Sequence, residues 1–229
     1  MVYDNFFTTP NIKYKKAFTY NVTTEPINLP ISLVTVKAYL KLSGSAEDDI
    51  LTMFIEAAKD FAESYTGRTL INTTFTTFRD DFADDFTLRR SKLQSITSFE
   101  YLLDGTLTAV DSSLYGVTDD KDFSSIYEKD GQVFPDLDAN IPDSVKIVFV
   151  AGYGATDASV PSALKLALLA HIAFMYANRG DCSGDCSSDG GSSLPASVRN
   201  MYNKYRILNL GSSDRSYPSD AVGSYGYRL

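Results

Sequence analysis

Histidine is almost missing from this chain of 229 residues: His171 is the only one. A histidine-dependent catalytic triad has no credible seat, because that imidazole falls inside an apolar helical segment. There the sequence supports a core or interface histidine satisfied by a local hydrogen bond. Cysteine is equally scarce. Cys182 and Cys186 lie close together in a Gly/Ser/Asp stretch, too few and too local for a disulfide-framed secreted fold, so reduced thiols are expected. Together with Asp181, Asp185 and Asp189 they invite a metal reading, but no second cysteine pair or nearby histidine completes a ligand set. No metal and no cofactor are expected.

Positive charge is in deficit, with 21 basic against 29 acidic residues and a net charge of −8, the opposite of the footprint that phosphate neutralisation demands. No Walker-type loop is present, and Gly152-Tyr153-Gly154 lacks the third glycine of a dinucleotide fingerprint. The N-terminus has no basic-plus-apolar signal segment, so synthesis and use in a cytosol are expected. Apolar stretches fall well short of the roughly 20 residues that cross a bilayer. Two acidic clusters, Asp80, Asp81, Asp84 and Asp85, then Asp119, Asp120 and Asp122, contain paired carboxylates that could do acid/base work or hold calcium. Solvated turns account for them more simply, and no enzymatic function is expected.

What the chain does have is one helix, 161–179, whose surface between Ala163 and Ala177 is apolar except for Lys165 and His171. A helix apolar nearly all round must be buried nearly all round, by this chain's own core or by a neighbouring subunit. Leu164, Leu168, Ile172, Met175 and Tyr176 are the candidate core or subunit-interface positions. The helix points toward an assembling protein.

The remaining organisation reads as one core with two arms. Residues 1–30, with prolines at 10, 26 and 30 and many aromatics, hold no sustained periodicity. They read as an extended arm ordered on a partner, or equally as an edge strand on the chain's own domain. Helices are expected over 32–42 and 46–66. In the second, Ser45 is the candidate cap, Gly67 the left-handed stop, and Ile50, Phe54, Ala58, Phe61 and Tyr65 the buried stripe, widened by Leu51, Ile55 and Ala62. Residues 70–154 carry strand signals, with Asp104-Gly105 and Asp130-Gly131 each predicting a hairpin. A last helix over 194–208 precedes a Gly/Ser/Tyr tail, 209–229. The expected fold is α+β: a bundle of about four helices with a small antiparallel β region inserted between the N-terminal and C-terminal pairs, and extended arms at both ends.

Five strings in this order, LPISLVTVKAYLKL (29–42), AESYTGRTLI (62–71), KLQSITSFEYLLDG (92–105), VKIVFVAGYG (145–154) and VPSALKLALLAHIAFMYANR (160–179), resemble the head-tail connector, or adaptor, family of tailed phages. The resemblance spans roughly Leu29 to Leu208. The arm, the cysteine-bearing loop and the aromatic tail go beyond that family's compact core.

The resemblance implies a non-enzymatic virion protein of the head-tail neck. It would form a homo-oligomeric ring of about twelve subunits beneath the portal protein, continue the DNA channel without sequence-specific binding, and offer a platform to a tail or stopper protein. By the same resemblance the C-terminal helix and tail reach the portal, a role carried to Val198, Met201, Tyr202, Tyr205, Leu208, Tyr225 and Tyr227. A stripe at this spacing could equally pack on its own domain. A different class of function also fits: an accessory tail or baseplate module whose aromatic hairpins, around Tyr101 and Tyr115, bind a host-surface glycan.

Overall fold

The computed structural model describes residues 20–82, 85–90, 92–120, 122–138, 141–179 and 194–207. In chain order these form β1 (Tyr20–Thr24), α1 (Leu33–Leu40), α2 (Asp48–Thr66), β2 (Thr73–Arg79), β3 (Asp85–Leu88), β4 (Leu93–Leu103), β5 (Thr106–Ala109), β6 (Tyr115–Asp119), β7 (Ser124–Glu128), β8 (Val145–Ala151), a 3₁₀ turn (Asp157–Ser159), α3 (Ser162–Ala177) and α4 (Ala196–Asn203). The strands make two antiparallel sheets, one ordered β1-β2-β8-β4-β5 and the other β3-β7-β6.

This corrects the expected architecture. Among the described residues the fold is a strand-rich α+β arrangement of four helices and two sheets, not a helical bundle with a small β insertion. The physical reason is a second core. The strands enclose an aromatic cluster of their own, in which Phe82 stacks on Phe134 at 4.6 Å and Phe99 meets Phe86 and Tyr115 edge to face at 5.7 and 5.2 Å. The helices bury a separate aliphatic cluster around Leu51, Ile55, Leu164, Leu168 and Ile172.

Local chemistry explains most boundaries. Strand β8 alternates buried Val145, Ile147, Phe149 and Ala151 with half-buried residues, as a central strand does, and Lys146 opposite Glu100 adds a cross-strand ion pair at 3.0 Å. Asp104 (φ 50°) and Gly105 (φ 72°) supply the two positive φ angles that join β4 to β5 in the expected hairpin. The second expected hairpin does not form. Gly131 instead turns the chain into an extended segment that carries Phe134 back to the aromatic cluster. Tyr20–Thr24, within the span read as an arm, pairs with β2 as an edge strand.

Helix α2 ends as expected at Gly67 (φ 72°), but its start is Glu47, with no side-chain cap from Ser45. The side-chain cap belongs to α1, where Ser32 Oγ accepts from the Thr35 amide at 3.2 Å. The buried face of α2 is Leu51, Ile55, Ala58, Ala62 and Thr66. The expected stripe was thus rotated: its widening residues hold the centre, whereas Ile50 and Phe61 remain 37% and 38% exposed.

Candidate assembly surface

The rotation of α2 leaves it with two apolar faces. One is spent on the helical core. The other, Ile50, Met53, Ala57 and Phe61, follows helical spacing along the helix and is open to solvent, with Met53 65% exposed. The polar residues Glu56, Lys59, Asp60 and Glu63 occupy the remaining sector. An isolated exposed apolar residue is ordinary, but a second stripe running from Ile50 to Phe61 on a nineteen-residue helix is a surface in search of a cover.

Helix α3 is divided in the same way. Leu164, Ala167, Leu168, His171 and Ile172 are buried, whereas Ala163, Leu166 and Ala177 are exposed and Ala170 and Ala173 half-buried. The outer face is therefore made mostly of alanines, which let a second helix approach closely. Helix α1 adds Val34, 77% exposed, and Tyr39.

Around Phe61 helices α2, α3 and α4 meet. Its ring stacks on Tyr65 at 5.6 Å and meets His171 edge to face at 5.0 Å. Tyr202 and His171 Nδ1 lie 3.4 Å apart, and burial without a countercharge holds the imidazole pKa below its usual 6.5. Burial likewise pushes the Tyr202 phenol upward. At the other end of α3, Tyr176 donates to Glu47 Oε2 at 2.7 Å and Arg179 to Glu47 Oε1 at 3.1 Å. The Tyr176 bond, then the Arg179 bond, hold the Glu47 carboxyl below its usual range. Glu47 so ties the start of α2 to the end of α3.

The residues expected at the portal fall into three groups. Val198 and Tyr202 are buried in the helical core, Met201 and Tyr205 are half-buried on the same cluster, and Leu208, Tyr225 and Tyr227 lie outside the described residues. Of the α3 positions, Leu164, Leu168 and Ile172 are core, and Met175 and Tyr176 half-buried. Cys182 and Cys186 also lie outside the described residues.

Among the described residues no three His, Cys, Asp or Glu side chains gather as a metal site would require, and no helix is long and apolar enough to cross a membrane. Several acidic side chains have structural employment instead. Asp80 accepts from the Asp143 amide, Asp119 from Ser124, and Asp122 pairs with Arg68. The glycan reading loses one of its two residues: Tyr101 is buried, whereas Tyr115 is half-buried and packs against Phe99.

Sequence reasoning missed Met53 and Ala57 as surface residues. Their signal was present in the spacing, since α2 carries more apolar positions than one face can hold.

Comparison with known proteins places the chain in a family. The head completion protein family matches residues 30–208. The chain belongs to that family. Its role is accordingly that of a structural head-tail connector of a virion. Three solved structures share the fold, each alignment covering 84% of this chain and 97% of the other. They are a chain from the neck of an empty gene transfer agent particle computed with C6 symmetry (22% identical, TM-score 0.66), one from the virion of the native particle (23%, 0.67), and one from the native neck computed with C12 symmetry (21%, 0.63). No curated protein matches the sequence.

Proposed function

We propose that this connector acts in the virion neck by closing into a head-to-tail ring of about twelve copies, with the open stripe of α2 seated on the alanine-rich outer face of α3 in the next copy. The observation that carries the reading is the second apolar face of α2, bulky where the outer face of α3 is small. Such a pairing uses two different patches on each copy, which is what a closed cyclic assembly requires. The C6 and C12 symmetries of the similar neck structures support it.

A specific interface buries on the order of 800 Å² per partner. Burying what remains exposed of Ile50, Met53 and Phe61, 37%, 65% and 38% of each, would contribute roughly 0.5–2 kcal/mol each before the costs of association. Each copy carries a net charge of −8, which opposes self-association in free solution. A portal ring that concentrates the subunits overcomes that repulsion, so the purified chain is expected to be monomeric and the ring templated.

In this reading the portal protein meets Met201, Tyr205 and the residues beyond Ile207, including Leu208, Tyr225 and Tyr227. Val198 and Tyr202 act indirectly by anchoring α4. A tail or stopper protein binds the opposite face, DNA passes through the channel, and no substrate is turned over. The acidic balance disfavours adhesion of a duplex to the channel wall.

The test is light-scattering mass with negative-stain imaging of the chain alone and mixed with its portal ring. Rings of about twelve copies on the portal are expected. A chain that ignores the portal would overturn the proposal.

A further inference from the structure

The helical interface leaves a second feature without a role. A groove of about 320 Å³ lies in the strand half, lined by Leu93, Ile96, Tyr115 and Val117 with Gln94, Ser95 and Asp119. It runs between two strand edges. Among the described residues, β5 covers β4 only from Glu100 to Leu103, so Leu93–Ser98 has β8 on one side and no strand on the other. Among the same residues β6 pairs with β7 alone. Irregularities in the β4 register near Gln94 and Thr97 interrupt a regular ladder there, so an occupant would be held mainly by side chains in the groove.

Building on the ring reading, we infer that the groove takes residues Lys13 to Phe18 of the adjacent copy's N-terminal segment, so that each subunit is latched to the next. Three observations support this occupant.

The first is charge. Residues 1–19 carry Lys13, Lys15 and Lys16 against a single Asp4, in a chain that is otherwise acidic, and the groove is lined by exposed Asp119.

The second is shape chemistry. Tyr14 and Phe18 bring flat apolar rings to a groove walled by aliphatic and aromatic side chains, the kind of burial in which aromatics contribute most.

The third is topology. Strand β1, which the segment precedes, lies at the far edge of the five-stranded sheet from β4's uncovered side. Through the register, Tyr20 stands level with Phe99, and β1 then runs toward the Ile96 level, so its N-terminal end opens away from the groove of its own copy. In a head-to-tail ring each copy presents two different surfaces to its two neighbours, so a segment leaving one edge can serve a groove at the other edge of the next copy. Nineteen residues reach about 60 Å when extended, ample to cross one subunit boundary.

The experiment uses the full-length chain with Cys182→Ser and Cys186→Ser, carrying Ala17→Cys and Ser95→Cys, assembled on its portal ring and then oxidised. Ser95 is exposed at the groove and its replacement by cysteine is nearly isosteric, and Ala17 is neither one of the lysines nor one of the rings, so the pair reports proximity with little change to the groove's chemistry. The expected result is a ladder of covalent multimers extending to the full ring, reduced at least tenfold by adding Asp119→Lys while rings persist in negative stain. Rings that form without a ladder, or a disulfide confined within single copies, overturn the latch and leave the ring standing. Absence of rings overturns the ring reading and the latch with it, a result distinguishable by imaging alone.

Discussion

Arg68 and Asp122 form an ion pair that joins the helical core to the smaller sheet. Arg68, 4% exposed, sits just past the end of α2 and donates from Nε to the Tyr205 carbonyl beyond α4. Asp122 lies in the turn between β6 and β7. The segment Tyr205–Ile207 is further held by the Ile207 amide donating to the Thr66 carbonyl at 2.9 Å. One guanidinium thus sets the point from which the chain continues toward its C-terminus.

Removing Asp122 takes away one of the partners of the buried Arg68 guanidinium, so Asp122→Ala is expected to cost about 1–3 kcal/mol of stability. Half-exposure of Asp122 places the cost toward the lower end. The double variant Arg68→Met with Asp122→Ala removes the buried charge itself and is expected to recover part of the loss. Urea unfolding of the two variants checks this, and equal or greater loss in the double variant would contradict the electrostatic account.

A ring held by the open face of α2 should be lost without loss of the fold. Met53→Glu is expected to abolish ring formation on the portal while changing the stability of the isolated chain by no more than about 0.5 kcal/mol, the usual range for exposed positions. By contrast, Ile55→Ala, on the buried face two residues away, is expected to cost about 2–5 kcal/mol. Imaging and thermal unfolding of the two variants separate assembly from folding.

Helix α4 poses the corresponding question at the portal. Tyr202 is fully buried and its hydroxyl lies at 3.4 Å from His171 Nδ1, a long contact. Tyr202→Phe is expected to cost less than about 1 kcal/mol, and Tyr202→Ala about 3–5 kcal/mol through the cavity it leaves. Portal affinity should fall with Met201→Glu, a half-buried position where some loss of stability is also expected, while the variant remains folded at the assay temperature. If Tyr202→Phe alone weakened the portal complex while stability held, Tyr202 would be a direct contact.

Much of the helical half was legible in the sequence because its signals are local. Gly67, the apolar surface of 161–179 and the 3.6-residue spacing of α2 each act within a few turns. The strand half was less legible. β3 has four residues and β6 reads YGVTD, without clear alternation, and both are stabilised by partners distant in sequence and by rings such as Phe82 and Phe134. The same limit hid the open face of α2: the sequence showed that its apolar residues exceed one stripe, but only tertiary packing decides which stripe goes inside. The Asp130-Gly131 hairpin failed for a related reason, since the aromatic cluster recruits Phe134 in preference to a returning strand.

The single histidine gives the stability a defined pH response. In the unfolded chain His171 titrates near 6.5; in the native state burial lowers that value, so the unfolded state binds the proton more readily. Stability is therefore unaffected well above 6.5 and falls as pH drops through 6.5 toward the lower native value. Glu63, whose carboxyl is raised by burial while it accepts from the Leu70 amide at 2.7 Å, acts with the opposite sign, its contribution being lost as pH rises above 4.5. Glu47 and Asp111, both lowered by hydrogen bonds, lose their contributions only as pH falls below the usual carboxylate range. Comparing the chain with His171→Gln cancels the carboxylates and isolates the imidazole. Urea midpoints at pH 7.5 and 5.5 should fall more for the parent chain than for His171→Gln, whose smaller change reports the carboxylates alone. Equal changes in the two proteins would mean that His171 protonates as readily in the fold as out of it.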